Sequence, residues 1–213
     1  MLTRPDMLPT APTPCRLRPS YRPRGQLPFA FSLVRWLCAA LSLGLVLPSS
    51  TLRADDWPQW RGPHRDGVWR EDGIVDRFET SQLAPRWRVP IGPGYSGPTV
   101  ADGRVFVTDR VREPKQIERV HCFDAASGAH LWTHAYDCTY VGVGYEAGPR
   151  ASVSIDQGMA YSLGAMGHLV ALEAESGRVV WQHDLNREYR IRMPIWGIAA
   201  SPLVEGGLVI VQI

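Results

Sequence analysis

The chain contains an internal repeat with a period of 49 residues, and this repeat limits the folds that it can adopt. Residues 120–134 match residues 169–183 in a single register, which aligns the acids, the Ser-Gly pairs, the tryptophans and the terminal histidines of the two copies. A shared unit lies upstream of each copy and occurs a third time near residue 200, and its glycines Gly158 and Gly207 are again 49 positions apart. A period of this length predicts one supersecondary unit per repeat, stacked in series.

The local pattern within each repeat predicts short strands joined by tight turns. Runs such as 105–107 and 208–211 are rich in β-branched residues and bounded by glycine. Asp102-Gly103 and Gly206-Gly207 suit hairpin turns that need positive φ, and Gly128 suits the left-handed position of a further turn. No stretch of about 12 residues after position 54 has helical periodicity. We therefore expect an all-β fold, an incomplete β-propeller of four-stranded blades.

Two further details refine this expectation. Trp132 and Trp181 occupy the same position in successive repeats, and Trp87 fits the same pattern. We expect their rings to fill the wedges between blades, each contributing about 2–3 kcal/mol by burial; a row of sugar- or quinone-stacking aromatics is the alternative. The first repeat has six additional residues between Gly103 and Asp124, which we expect in a hairpin loop near residues 112–115.

The first 54 residues are typical of a secretory leader. They carry seven arginines and a single acid, and the apolar run 36–47 ends before the small residue Ala54. An anchor starting at Phe29 would include Arg35, and the uncharged remainder of 12 residues is too short to span a bilayer. We favour cleavage and export over anchoring. The predicted organisation is a leader at 1–54, a lead-in segment at 55–85 and repeats at 86–213.

The net charge of the chain outside the leader bears on which partners it can bind. Without the leader, the 23 basic and 21 acidic residues fall to 16 and 20, a net charge of −4, which argues against nucleic acid as a partner.

Cys122 and Cys138 remain outside the leader, and because the hairpin pattern places them apart we expect two buried thiols rather than a disulfide. His130 and His134 suggest a metal only weakly, since His134 repeats as His183 and no carboxylate completes a site. A surface or inter-blade position for these histidines is the preferred interpretation.

The repeated motifs resemble the tryptophan-docking repeat of the pyrroloquinoline-quinone (PQQ) family. The resemblance rests on residues 128–132 and 177–181, each preceded by an acid and Ser. Cys122 and Glu173 depart from the family's Ala and Asp, and both units have Ser in place of Thr. Residues 56–67 also resemble the opening motif of exported family members. The resemblance implies a propeller in the periplasm or cell envelope.

For function, the resemblance implies two classes. One comprises quinoprotein dehydrogenases, which bind quinone and calcium on the propeller axis with a catalytic Asp and often a vicinal cysteine pair; the other comprises noncatalytic proteins that resemble the outer-membrane assembly lipoprotein. This sequence has no vicinal cysteine pair, and no residue aligns with the catalytic Asp or with the calcium-binding Glu and Asn. No catalytic or metal-binding residue is therefore assigned, and cofactor-binding residues are unknown.

We accordingly expect a noncatalytic interaction or structural platform in the cell envelope, with a protein or a carbohydrate-like ligand as its partner. The alternative is a PQQ- and calcium-dependent dehydrogenase whose active residues lie largely beyond Ile213. Because residues 208–213 form an apolar strand at the end of the chain, which would leave a bare edge, we expect a piece of a longer protein; a short chain that closes by oligomerising is the other possibility.

Overall fold

The computed structural model describes residues 54–79 and 83–213. Apart from Ala54, the expected leader lies outside these residues. Ten strands and one short helix are present in the described part of the chain. The strands form two four-stranded antiparallel sheets and one two-stranded sheet. The fold predicted from the repeat, an incomplete propeller of four-stranded blades, is confirmed.

The strands follow each other in space as they do along the chain. Blade 1 consists of β1 (Thr99–Ala101), β2 (Arg104–Val111), β3 (Ile117–Asp124) and β4 (His130–Asp137). Blade 2 consists of β5 (Ser154–Asp156), β6 (Met159–Leu163), β7 (His168–Glu173) and β8 (Val179–Asp184). The helix α1 (Leu185–Tyr189) follows, and β9 (Leu203–Glu205) and β10 (Leu208–Ile210) form the two-stranded sheet.

The predicted turn chemistry is also confirmed. Asp102 and Gly103, with φ of 50° and 72°, join β1 to β2, and Gly206 and Gly207, with φ of 55° and 76°, join β9 to β10. Two successive positive φ angles match the twist of the flanking strands in a two-residue hairpin. Gly128, with φ of 73°, lies in the left-handed region in the turn between β3 and β4.

The six additional residues of the first repeat lie mainly in strands, so the prediction that they form a loop insertion was wrong. β2 and β3 contain 8 residues each, whereas β6 and β7 contain 5 and 6. The hairpin has lengthened because each added pair of residues gains ladder hydrogen bonds, which an open loop does not offer.

Tryptophan rings connect each blade to the next. Trp87 Nε1 donates a hydrogen bond of 3.0 Å to the carbonyl of Ala125, and Trp132 Nε1 donates one of 3.1 Å to the carbonyl of Ala174. The Trp132 ring lies over Gly177 so closely that a Cβ at that residue would be 2.6 Å from Cδ2 of the ring. This packing belongs to a core formed by both blades, which includes Phe106, Val120, Cys122, Val170 and Leu172. The expected wedge-filling role of Trp132 is thereby confirmed.

The lead-in segment pairs with the first strand of each blade. Trp57 exchanges two backbone hydrogen bonds with Val100 of β1, and Ile155 of β5 donates a backbone hydrogen bond to the carbonyl of Pro58. These bonds give β1 and β5 partners on the side that would otherwise be an open edge. Among the described residues, no helix has the length and apolar content needed to cross a membrane.

Candidate functional site

Because the strands of each blade are antiparallel, the connections lie at two opposite ends. One end carries the tight turns between the first and second strands and between the third and fourth. The opposite end, here called the loop end, carries the longer connections 112–116 and 164–167 within blades and 88–98, 138–153 and 185–202 between successive repeats. Binding residues are commonly placed on such loops by a rigid scaffold. A binding site is therefore expected at the loop end.

A fully buried carboxylate lies beneath the loop end, where blade 1 meets blade 2. Glu118 of β3 has no exposed surface. It accepts hydrogen bonds from the Tyr136 hydroxyl at 2.6 Å, from the Tyr140 hydroxyl, and from the backbone N–H of Ala165 at 3.2 Å. The last bond crosses from blade 1 to the 164–167 connection of blade 2. Glu118 therefore fixes two tyrosines and the neighbouring blade in one arrangement.

The environment of Glu118 keeps its neighbours protonated. Burial, and then the charge of Glu118, raise the pKa of the Tyr136 and Tyr140 hydroxyls well above their ordinary value. The same two causes raise the pKa of the Cys138 thiol. Protonated hydroxyls can donate to a carboxylate, and this is the state that the observed hydrogen bonds require.

A cation packs against this cluster. The guanidinium carbon of Arg110 lies 3.6 Å from the centre of the Tyr140 ring. Arg110 also donates hydrogen bonds to the Glu146 carbonyl, at 2.5 Å, and to the Gln116 side chain. A buried carboxylate and a buried guanidinium thus flank one aromatic ring, an arrangement that offsets part of the cost of burying each charge.

The surface of the loop end carries an exposed aromatic pair. Tyr145 and Trp196 stack with ring centres 4.6 Å apart and an interplanar angle of 26°. Their exposed fractions are 63% and 55%, and the nearby connections also expose Ile195 and Val141 at 63% and 68%. We call these four residues the loop-end patch. Exposed aromatic and aliphatic side chains of this kind are typical anchors in protein interfaces.

The backbone beneath the patch is held by hydrogen bonds. Tyr145 has a φ of 57°, a left-handed conformation that costs a residue with a side chain about 1–3 kcal/mol. Arg150 Nη2 donates to the carbonyls of Gly144 at 3.1 Å and Tyr145 at 2.6 Å, and Gly144 N donates to the Ile195 carbonyl at 2.7 Å. The Arg150 bonds fix the backbone around Tyr145, and the Gly144–Ile195 bond joins the two connections that carry the stacked rings.

A second charged network lies on the other face of blade 1, away from blade 2. The buried Asp109 carboxylate accepts from Arg119 Nε and Nη2 at 2.8 and 2.6 Å and from the Gly92 N–H at 2.5 Å. His121 Nε2 lies 3.0 Å from Asp109 Oδ1 but is poorly aligned for a hydrogen bond. Burial opposes ionisation, yet the contacts with His121 and Arg119 hold the pKa of Asp109 below its ordinary range. His121 Nδ1 lies 2.8 Å from Thr133 Oγ1.

The cysteines and histidines named from the sequence lie where the repeat predicts. Cys122 and Cys138 are free and buried in different clusters, so the expectation of two buried thiols is confirmed. Burial raises the pKa of the Cys122 thiol to about 12. His130 is exposed and lies 2.7 Å from Thr133 Oγ1, whereas His134 faces the space between the blades.

The buried carboxylates of the described residues are not free to hold the calcium ion that the dehydrogenase alternative implies. The oxygens of Asp109 and Glu118, the two carboxylates that are fully buried in the described part, are already engaged by protein donors. Within residues 54–79 and 83–213, no group of three or more His, Cys, Asp and Glu side chains is arranged to hold a metal.

Comparisons with known proteins agree with this architecture. Residues 116–213 match the model of a family described as outer membrane protein assembly factor BamB. The match begins just before β3 and covers blade 2 and the two-stranded sheet. Over these residues the repeats are similar to the PQQ-like β-propeller repeats of that family. A comparison of the whole sequence with curated proteins found no match.

Solved structures similar to this chain include two dehydrogenases. The quinohemoprotein alcohol dehydrogenase from Comamonas testosteroni is 24% identical with a TM-score of 0.54, and the match covers 73% of this chain and 23% of that one. A europium-containing methanol dehydrogenase is 16% identical with a TM-score of 0.55, and the match covers 75% of this chain and 27% of that one. The chain spans about a quarter of the length of these enzymes. At such identities the likeness shows the fold alone.

Neither Glu118 nor the loop-end patch was predicted from the sequence. Glu118 lies in a strand pattern that offers no sign of its burial, and Tyr145 and Trp196 lie outside the segments that repeat. The sequence does offer one signal for the aromatic pair. The connections that carry Tyr145 and Trp196 differ between repeats, and aromatic residues in such connections are not required for blade packing.

Proposed function

We propose that this chain is an exported, noncatalytic interaction platform of the cell envelope, and that its loop-end patch binds a protein partner. The observation that carries the proposal is the stacked Tyr145–Trp196 pair, exposed at 63% and 55% and fixed on two ordered connections. The family described as an outer membrane protein assembly factor supports an envelope setting and a protein as the partner.

The chemistry of the patch favours a protein partner with an apolar centre. Tyr145, Trp196, Ile195 and Val141 supply large rigid side chains with few rotatable bonds, which lose little entropy when they become buried. Charged groups, such as Arg112 and Glu146 at 3.9 Å from each other, lie nearby and suit a polar rim. An apolar centre with a polar rim is the usual anatomy of a protein interface.

Site-specific photo-crosslinking in cells of the source organism tests this proposal. A photoreactive amino acid at position 196 should give a discrete adduct with an envelope protein, identified by mass spectrometry. The same amino acid at Val180, which is 46% exposed on β8, serves as the matched control and should give none. Tyr145→Ala should weaken adduct formation by about tenfold or more, the loss typical of an interface hot spot.

Two results would contradict the proposal. One is equal crosslinking at positions 180 and 196, which would make the patch an ordinary surface. The other is stoichiometric binding of PQQ by the calcium-supplemented protein together with alcohol-dependent dye reduction, which would favour the dehydrogenase alternative.

A further inference from the structure

A polar groove lies between the two blades, apart from the loop-end patch and with no residue in common with it. Its volume is about 310 Å³. On one side are His134 and Tyr136 of β4, and on the other are His168 of β7 and Gln182 of β8. The groove exists because neighbouring blades diverge toward their outer strands, and Trp132 fills this wedge only near the opposite end of β4.

The aromatic rings of the groove form a row. The His134 and Tyr136 ring centres are 5.8 Å apart at 37°, and those of Tyr136 and His168 are 5.0 Å apart at 32°. Tyr136 cannot turn away, since its hydroxyl is bonded to the buried Glu118 at 2.6 Å. The row therefore presents a fixed, weakly apolar surface with a polar surround.

Two rings that line the groove have unsatisfied nitrogens. His134 Nε2 and His168 Nδ1 are both buried, and neither has a hydrogen-bond partner in the described part of the chain. A buried polar atom without a partner costs about 1–3 kcal/mol, so two such atoms beside one groove call for an explanation. A bound molecule that supplies the missing partners after a small ring movement is such an explanation.

The lining indicates which chemistry that molecule has. Asp184, Arg187 and Glu188 contribute two carboxylates and one guanidinium, and the Gln182 amide both donates and accepts. Asp184 accepts from the Arg187 N–H at 3.0 Å and Glu188 lies 3.1 Å from His183, so neither carboxylate has a full set of donors. The excess of carboxylates disfavours an anion, and the described residues contain no metal-binding arrangement of His, Cys, Asp and Glu.

We propose that this groove binds a neutral saccharide of one or two rings. Sugar hydroxyls both donate and accept, so they can pair with either tautomer of His134 and His168 as well as with the Gln182 amide and the Arg187 guanidinium. The C–H face of a sugar ring fits against the Tyr136 row. The groove volume lies at the low end of the range for small-molecule sites, which matches a ligand of this size.

The test uses the whole chain and three neutral disaccharides, cellobiose, maltose and N,N′-diacetylchitobiose, in ligand-observed NMR. Each is titrated to about 20 mM, which detects dissociation constants in the millimolar range. We expect saturable binding of at least one disaccharide. His168→Phe keeps a ring but removes the unsatisfied nitrogen, and Arg187→Gln replaces the guanidinium with a neutral amide that has fewer donors. Each substitution should weaken binding about five- to tenfold. The matched control Arg88→Gln, an exposed arginine outside the groove, should have no effect.

His168→Phe also separates binding from folding, because it should leave the unfolding midpoint unchanged or raise it while binding weakens. The proposal is overturned if none of the three sugars binds saturably, if binding is unchanged in both groove variants, or if sodium sulfate or zinc chloride binds and the sugars do not. Since the patch and the groove share no residue, either proposal can fail without the other.

Discussion

The contact between Trp132 and Gly177 offers a direct test of how the blades are held together. A methyl group at Gly177 would lie 2.6 Å from Cδ2 of the Trp132 ring, and the residue has a φ of 70°. Gly158 has a nearly identical φ of 77°, but a methyl group there would meet no atom within 4 Å. The two glycines therefore share the backbone strain of an alanine substitution and differ in the ring contact.

The expected costs follow from these two contributions. Placing alanine in the left-handed region costs about 1–2 kcal/mol, which should be the whole effect of Gly158→Ala. Gly177→Ala should add about 1–3 kcal/mol, because either the ring or the turn must move to make room in a packed core. Gly128→Ala, whose methyl group would lie 2.6 Å from the Trp87 ring, should repeat the larger effect.

The assay is equilibrium unfolding in urea, followed by circular dichroism. With a urea dependence of about 1–3 kcal/mol per molar, the additional cost at Gly177 should lower the midpoint by roughly 1 M relative to Gly158→Ala. In a Trp132→Ala background the two glycine substitutions should cost the same, which gives a coupling energy of about 1–3 kcal/mol between Trp132 and Gly177. Equal costs for Gly158→Ala and Gly177→Ala in the native background would show that the Trp132 ring does not constrain residue 177.

Three further predictions concern the buried polar groups. Glu118→Gln should lower the free energy of unfolding by about 1–3 kcal/mol in the same assay, because an amide can accept fewer of the hydrogen bonds that now reach the carboxylate. As the control, Glu175→Gln at an exposed position should change the free energy of unfolding by less than about 0.5 kcal/mol. Asp109→Asn should lower the free energy of unfolding by about 3 kcal/mol at pH 7. The folded pKa of Asp109 lies below the ordinary value of 3.8, so the stability that its carboxylate contributes is complete above that pH and is lost as the pH falls further. The difference in free energy of unfolding between wild type and variant should therefore narrow below about pH 4, and a difference that stays constant down to pH 2 would contradict this. Cys122, with its pKa raised to about 12, should resist iodoacetamide at about pH 8 in the folded protein and react only in urea, as mass spectrometry of the modified peptide would report.

Local signals were sufficient to predict the blade from the sequence. The pairs Asp102-Gly103 and Gly206-Gly207 specify hairpin turns through their own backbone conformations. A strand is likewise indicated by the pattern of its own few residues. Trp132 was predictable in position because the repeat places it opposite the next blade. The length of the β2–β3 hairpin was not, since a six-residue insertion can extend strands or a loop and only the ladder hydrogen bonds decide between them.

The sequence alone determined the repeat, the all-β class and the residues that join one blade to the next, since these follow from short-range patterns. Only the tertiary structure placed Glu118 within reach of Ala165, 47 positions away along the chain, and stacked Tyr145 on Trp196. Such contacts join residues whose separation leaves no local pattern, and their geometry is set by the angle at which one blade packs against the next. The loop-end patch and the groove are both formed by that packing.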